Sequence, residues 1–91
     1  MKFEWDENKR MLNILKHNID FVDVILVFDD PNRLNIIDNR KDYSEIRTRT
    51  IGQVLQKLVI VVVHTDRNGK IRIISARRAD KKEREQYYGN S

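Results

Sequence analysis

Cysteine is absent from this 91-residue chain, so it can hold neither a disulfide nor a thiolate metal site. A chain without cysteine suits a reducing cytoplasm. Its two histidines, His17 and His64, stand far outside any zinc-ligand spacing. No glycine-rich phosphate loop and no serine-elbow motif occurs. No long apolar run occurs either: the longest, Leu58 to Val63, is far too short to cross a bilayer. Met1 leads into charged residues rather than a signal-peptide-like segment. Repeats, low-complexity tracts and linkers are missing too, so residues 1–91 are expected to form one domain with a small core.

Charge is plentiful but unevenly placed. Lys and Arg number 18 against 14 Asp and Glu, a net charge of +4. That excess alone hints only mildly at an anionic partner. Its distribution says more. Arg67, Lys70, Arg72, Arg77, Arg78, Lys81, Lys82 and Arg84 crowd the last third, against Asp80 and Glu83. A basic strand pair followed by a basic helix can follow a phosphate backbone. It can equally be a solvated helix face beside ordinary strand edges.

Periodicity supplies the elements. Phe3-Glu4-Trp5 alternates like a short strand. Asp6 is placed to cap a helix whose apolar stripe is Met11, Leu12, Ile14 and Leu15. Lys16 and His17 put cations at its C-terminus, and Asn18 suits the left-handed residue that closes it. Asp20, with Asp23 as a variant capping-box partner, opens a second helix burying Phe21, Val24, Ile25 and Phe28. Asp29-Asp30-Pro31 ends it. Strands follow over Leu34–Asp38, Glu45–Gln53, Lys57–Thr65 and Ile71–Arg77. The third is apolar on both faces, as a central strand should be. Asn39 to Asp42 reads as a polar turn, and Asn68-Gly69 favours a tight hairpin. Alternation puts Arg47 and Arg49 on one face of their strand. In the last strand it groups Ile71, Ile73, Ser75 and Arg77 against Arg72, Ile74 and Ala76. Asp80 can cap a final helix from Lys81 to about Tyr88. The expected class is α+β: a short N-terminal strand, two helices, a four-stranded antiparallel meander and a C-terminal helix.

Several strings along this order resemble one family. WDENK (Trp5–Lys9), KHNIDF (Lys16–Phe21), FDDP (Phe28–Pro31), YSEIR (Tyr43–Arg47), HTDR (His64–Arg67) and RIISARRA (Arg72–Ala79), followed by Glu83 and Tyr87, resemble the BrnT toxins of type II toxin–antitoxin modules. The resemblance spans nearly the whole chain. Asn18 stands where that family usually has Gly, a substitution positive φ tolerates. The resemblance implies a RelE-like fold and a cytoplasmic bacterial ribonuclease that stops translation by cutting RNA. It also implies a BrnA-like antitoxin, in a heterotetramer dimerised through that antitoxin. DNA would then be touched only through the antitoxin, with no membrane partner.

A small ribonuclease without metal or other cofactor can use the RNA 2′-hydroxyl as nucleophile. It must help remove that proton and stabilise charge on phosphorus. Arg77, just before a helix N-terminus, is the first candidate for the phosphate, since its planar fork matches phosphate oxygens. It could instead be a surface arginine paired with Glu83 or Asp80. Arg47 could join it from a neighbouring strand. His64 has a suitable pKa for proton transfer, although a histidine ending a buried strand is more often structural. Glu83 and Tyr87 share a helix face and could serve as base and phenol donor, or as ion-pair partner and packing residue. Arg67, Arg72, Arg78 and Lys81 are candidate RNA contacts, or simply solvated. Trp5 and Phe28 read as core. Two other readings stay open: a non-catalytic RNA- or ribosome-binding inhibitor, and an interaction subunit of a repressor complex.

Overall fold

Asp6 begins the first helix by accepting the N–H groups of Asn8 and Lys9 at 2.8 and 3.2 Å. In the computed structural model, which describes residues 1–38, 44–55 and 57–89, helix α1 runs Glu7–His17. Asn18 closes it at φ 58°, its N–H on the Ile14 carbonyl at 2.8 Å, as its left-handed tolerance predicts. Asp20 accepts the Val22 N–H at 3.0 Å and starts α2, Phe21–Val24, which tightens into a 3-10 turn over Ile25–Asp29. The expected second helix is thus two short pieces. The Asp23 contact with its cap is a backbone one, N–H to the Asp20 carbonyl at 3.0 Å.

Strands β1 (Phe3–Trp5), β2 (Leu34–Asp38), β3 (Arg47–Val54), β4 (Leu58–Arg67) and β5 (Lys70–Arg78) form one sheet in the order β1-β5-β4-β3-β2. Helix α3, Lys81–Gly89, follows. The antiparallel meander is as expected. The N-terminal strand joins the same sheet, parallel to β5, so the sheet is five-stranded and mixed. Asn68 and Gly69 both take positive φ, 53° and 78°, the pair a two-residue hairpin needs. The turn expected at Asn39–Asp42, and Tyr43, lie outside the described residues.

Each sheet face buries its own core. Phe21, Val24, Val27 and Phe28 pack on Ile60, Val62, Ile73 and Ala76. On the opposite face, Ala79 and Tyr87 pack on Ile51, Val59 and Val61. Gly52 lets the 3-10 turn approach β3, because a Cβ there would stand 2.6 Å from Val27 Cγ2. Phe28 is core as expected, and Trp5 is half-buried with its ring against Phe21.

Two expectations fail here for physical reasons. The apolar stripe of α1 is not its buried face: Met11, Leu12 and Leu15 are exposed, and the helix instead buries Asn13. β1 pairs with β5 only through Ile73, leaving Ala76 without a strand on that side. Asn13 fills the gap. It accepts the Ala76 N–H at 3.1 Å and donates to the Ile19 carbonyl at 2.9 Å.

The second failure is simple alternation along β5. Val63 pairs with Ser75, but His64 pairs with Ile73, so Ile74 is the extra residue of a β-bulge. Beyond it the faces exchange. Ala76 joins Ile73 in the core under α2, and Arg77 turns to the opposite face, across from Val61. The bulge therefore places Arg77 on the same face as Arg72, which pairs with Thr65 two positions along from Val63.

Candidate active site

Register across the sheet assembles an arginine-rich face. Arg49 lies opposite Val63, and Val63 opposite Ser75; Ile51 lies opposite Val61, and Val61 opposite Arg77. Directly opposed residues share a face, so Arg47, Arg49, Arg72 and Arg77 all stand on the α3 side. Helix α3 covers the apolar part of this face and leaves the arginines at its margin.

Glu83 gathers two of them. Arg77 donates from Nη1 and Nη2 to the two Glu83 carboxylate oxygens at 2.7 and 2.8 Å. Arg49 Nη1 lies 3.6 Å from the same carboxylate. Arg49 Nε is buried with no hydrogen-bond partner among the described residues. Glu83 also accepts the Asp80 N–H at 2.9 Å, while Asp80 accepts the Glu83 N–H at 2.8 Å. That reciprocal capping box fixes the first turn of α3 and points the carboxylate at the arginines. Hydrogen bonding from Arg77 dominates over burial, and the Glu83 pKa falls to about 2. An open cavity of about 410 Å³ lies here, lined by Arg49, Arg77, Asp80, Lys82, Glu83 and Gln86.

The remaining candidates spread over both faces. Arg47 and Arg67 both pair with Glu45, at 3.1 and 3.3 Å. Arg72 pairs with Glu4 at 2.5 Å. Arg78 and Lys81 are exposed, and the Arg78 carbonyl accepts from Arg77 Nη1 at 3.3 Å. None of these residues lines the cavity, though Arg47 and Arg72 share its sheet face.

His64 is not brought to it. Its ring is on the other sheet face, 5.0 Å from Phe28 between centroids, and it is buried. Thr50 donates its hydroxyl to Asn35 Oδ1 at 2.7 Å, so its oxygen must accept from His64 Nε2, also at 2.7 Å. Burial pushes the His64 pKa below its ordinary value. Tyr87 is likewise committed: its hydroxyl donates to Asp30 Oδ2 at 2.6 Å, and its pKa rises to about 12, chiefly through burial. His17, expected as a helix-terminal cation, is pushed toward the neutral form by burial and then by the charges of Lys16 and Arg77.

Arg49, Lys82 and Gln86 were not among the candidates read from the sequence. Arg49 was legible in principle, since alternation puts it beside Arg47. Lys82 and Gln86 carry no sequence signal that separates them from any solvated helix residue. Among the described residues, no three His, Cys, Asp or Glu side chains cluster as a metal site would require. No described helix is long and apolar enough to cross a membrane.

A family model described as the ribonuclease toxin BrnT of type II toxin–antitoxin systems matches residues 5–83. No curated protein matches the chain in sequence. Among solved structures, the chain is similar to the Brucella abortus ribonuclease toxin BrnT, determined at 1.1 Å. The TM-score is 0.68 at 30% identity, covering 89% of this chain and 99% of that one.

Proposed function

This chain belongs to the BrnT ribonuclease toxins of type II toxin–antitoxin systems, and from that premise we propose that it is a metal-independent endoribonuclease. The scissile phosphate sits in the Arg49–Arg77–Glu83 cavity. One observation carries this reading: two arginines converge on a single buried carboxylate in an open polar cavity at a helix start.

The RNA 2′-hydroxyl attacks the adjacent phosphorus and gives its proton to a base; the P–O5′ bond breaks, leaving a 2′,3′-cyclic phosphate and a 5′ oxygen that takes a proton from the protonated base or from water. Arg77 and Arg49 stabilise the charge that builds on its oxygens, a form of help that gains strength where water is partly excluded. Paired as it stands, Glu83 is too weak a base to take the 2′ proton. A phosphate that draws the arginines to itself removes what holds that pKa down. Glu83 then becomes the base at the moment substrate arrives. Arg47 and Arg72 extend the track for the RNA backbone on the same face. His64 and Tyr87 serve the fold.

Cutting by such a nuclease would stop translation. The family brings with it an antitoxin partner. Its BrnA-like identity and its role in dimerising the complex into a heterotetramer belong to the proposal, and light scattering that returns a 1:1 heterodimer would refute the latter. Residues 1–91 act as one toxin domain.

The decisive experiment is cleavage of a labelled RNA by the purified chain in excess EDTA, beside an Arg77→Ala variant shown to be folded. Cleavage by the wild type and its loss in the variant is the expected result. Cleavage that needs added metal would sink the mechanism. Tight RNA binding without cutting, on free RNA and on ribosomes alike, would make the chain a binder.

A further inference from the structure

Met11, Leu12 and Leu15 are 52, 63 and 81% exposed. Their spacing puts them on one side of α1. Three large apolar side chains on one turn-and-a-half of helix are costly to leave in water. Beside them a groove of about 240 Å³ runs between α1 and β5. Leu12 and Ile74 supply its apolar part, and Lys9 and Lys16 its basic rim, with His17 beside them. No Asp or Glu lines it.

The groove owes its shape to features already described. β1 stops pairing at Ile73, so beyond it β5 has no strand on its outer side, and Asn13 holds α1 against that edge. The groove also leads toward the cavity. Ser75 lines it, and Arg77 is two residues further on the same face. Arg77 is near enough to His17 to help depress that ring's pKa.

We propose that the antitoxin docks here through an acidic amphipathic helix, its apolar side chains on Met11, Leu12, Leu15 and Ile74 and its carboxylates against Lys9 and Lys16. This rests on the toxin reading above. Charge and apolarity together select the occupant. RNA would match the lysines but would desolvate its phosphates against leucine without return. A second copy of this chain would set Lys9 and Lys16 against their own counterparts. An acidic amphipathic helix satisfies both the ridge and the rim. Seated there, it ends beside Arg77 and closes the approach of RNA to the arginine face.

The test measures affinity of the purified cognate antitoxin for the wild-type chain, Leu12→Glu/Leu15→Glu and Lys9→Glu/Lys16→Glu, with labelled-RNA cleavage by each chain alone. All four side chains are exposed, so the variants should fold, and circular dichroism checks that they do. The leucine variant should lose antitoxin affinity by about 100-fold, taking roughly tenfold for each anchor. The lysine variant should lose affinity and most of its salt dependence. Both should cut RNA within about threefold of wild type, as surface changes away from the reacting groups do. Unchanged antitoxin affinity in the leucine variant overturns the proposal. So does a wild-type dimer that the leucine variant splits while antitoxin still binds, since a second copy then owns the groove. Loss of cleavage with antitoxin binding intact overturns it in favour of RNA. A wild type that never cuts RNA, whose antitoxin affinity still collapses in the leucine variant, removes the nuclease reading and leaves the docking groove standing.

Discussion

Arg77 and Glu83 meet in a parallel two-point ion pair, at 2.7 and 2.8 Å, six residues apart across the junction of β5 and α3. The pair joins the last strand to the last helix and fills the arginine fork that a phosphate would use. It also makes the protein's stability depend on acid. The Glu83 pKa falls from 4.5 to about 2, so its contribution is full above pH 4.5 and is lost as pH falls toward 2. Allowing for screening at the partly exposed arginine, that contribution is about 2 kcal/mol. Glu83→Gln keeps the carbonyl that accepts the Asp80 N–H but removes the charge. Urea unfolding from pH 6 to 2 should therefore fall less steeply in the variant than in the wild type. Parallel curves would mean that the pair contributes nothing to the fold.

Arg49 has a buried Nε without a partner among the described residues, and Nη1 at 3.6 Å from Glu83. A cation held this loosely against its carboxylate is available to an arriving phosphate. Arg49→Lys keeps the charge but loses the fork. Cleavage should drop by about 10²-fold in kcat, the size expected for one donor aimed at developing charge. A rise in KM alone, with kcat untouched, would place Arg49 in ground-state binding instead.

Much of this architecture is legible in the chain because local signals agree. Asp6, Asn18, Asn68-Gly69 and Asp80 each mark a boundary by side-chain chemistry or tolerance of positive φ, and each boundary falls there. What could not be read is whatever depends on distant partners. The extra residue at Ile74 is set by how β4 and β5 register, and it moves Arg77 to the other face. The exposed stripe on α1 has helical spacing like any buried one, but β5 is held by Asn13 instead. His64 and Arg77 were both plausible members of one site in sequence; strand parity through Val61 and Val63 separates them.

His64 supplies a contrast to the arginines. Its ring packs on Phe28 and its Nε2 donates to Thr50, far from the cavity across the sheet. His64→Gln should leave cleavage within about threefold, yet cost roughly 1–3 kcal/mol by disturbing a buried polar contact. In the wild type, burial depresses the His64 pKa, so the unfolded chain binds the proton more readily. Stability from this residue is present above pH 6.5 and declines as pH falls through the window beneath it. Thermal melts of both proteins between pH 8 and 5 test this: the variant should lack that part of the decline. A hundredfold loss of cleavage with an unchanged melt would return His64 to the chemistry.

Tyr87 shares its helix face with Glu83 but ends on a different partner. Its hydroxyl donates to Asp30 Oδ2 at 2.6 Å, and the same oxygen accepts the Gln53 N–H at 2.7 Å. Asn32 donates its N–H to the other Asp30 oxygen at 2.9 Å. Burial alone would raise the Asp30 pKa, but these hydrogen bonds outweigh it and hold the carboxyl below its ordinary value. One aspartate thus ties the 3-10 turn, β3 and α3 together. Tyr87→Phe removes a donor from a charged acceptor, which costs roughly 1.5–3 kcal/mol. It should lower the melting temperature while cleavage per folded molecule stays within about threefold. A phenol acting as proton donor to the leaving oxygen would give the reverse: a melt near that of wild type and kcat down by about 10²-fold or more. Measuring both quantities on the same preparation separates the two roles, because the hydroxyl cannot serve Asp30 and the RNA at once.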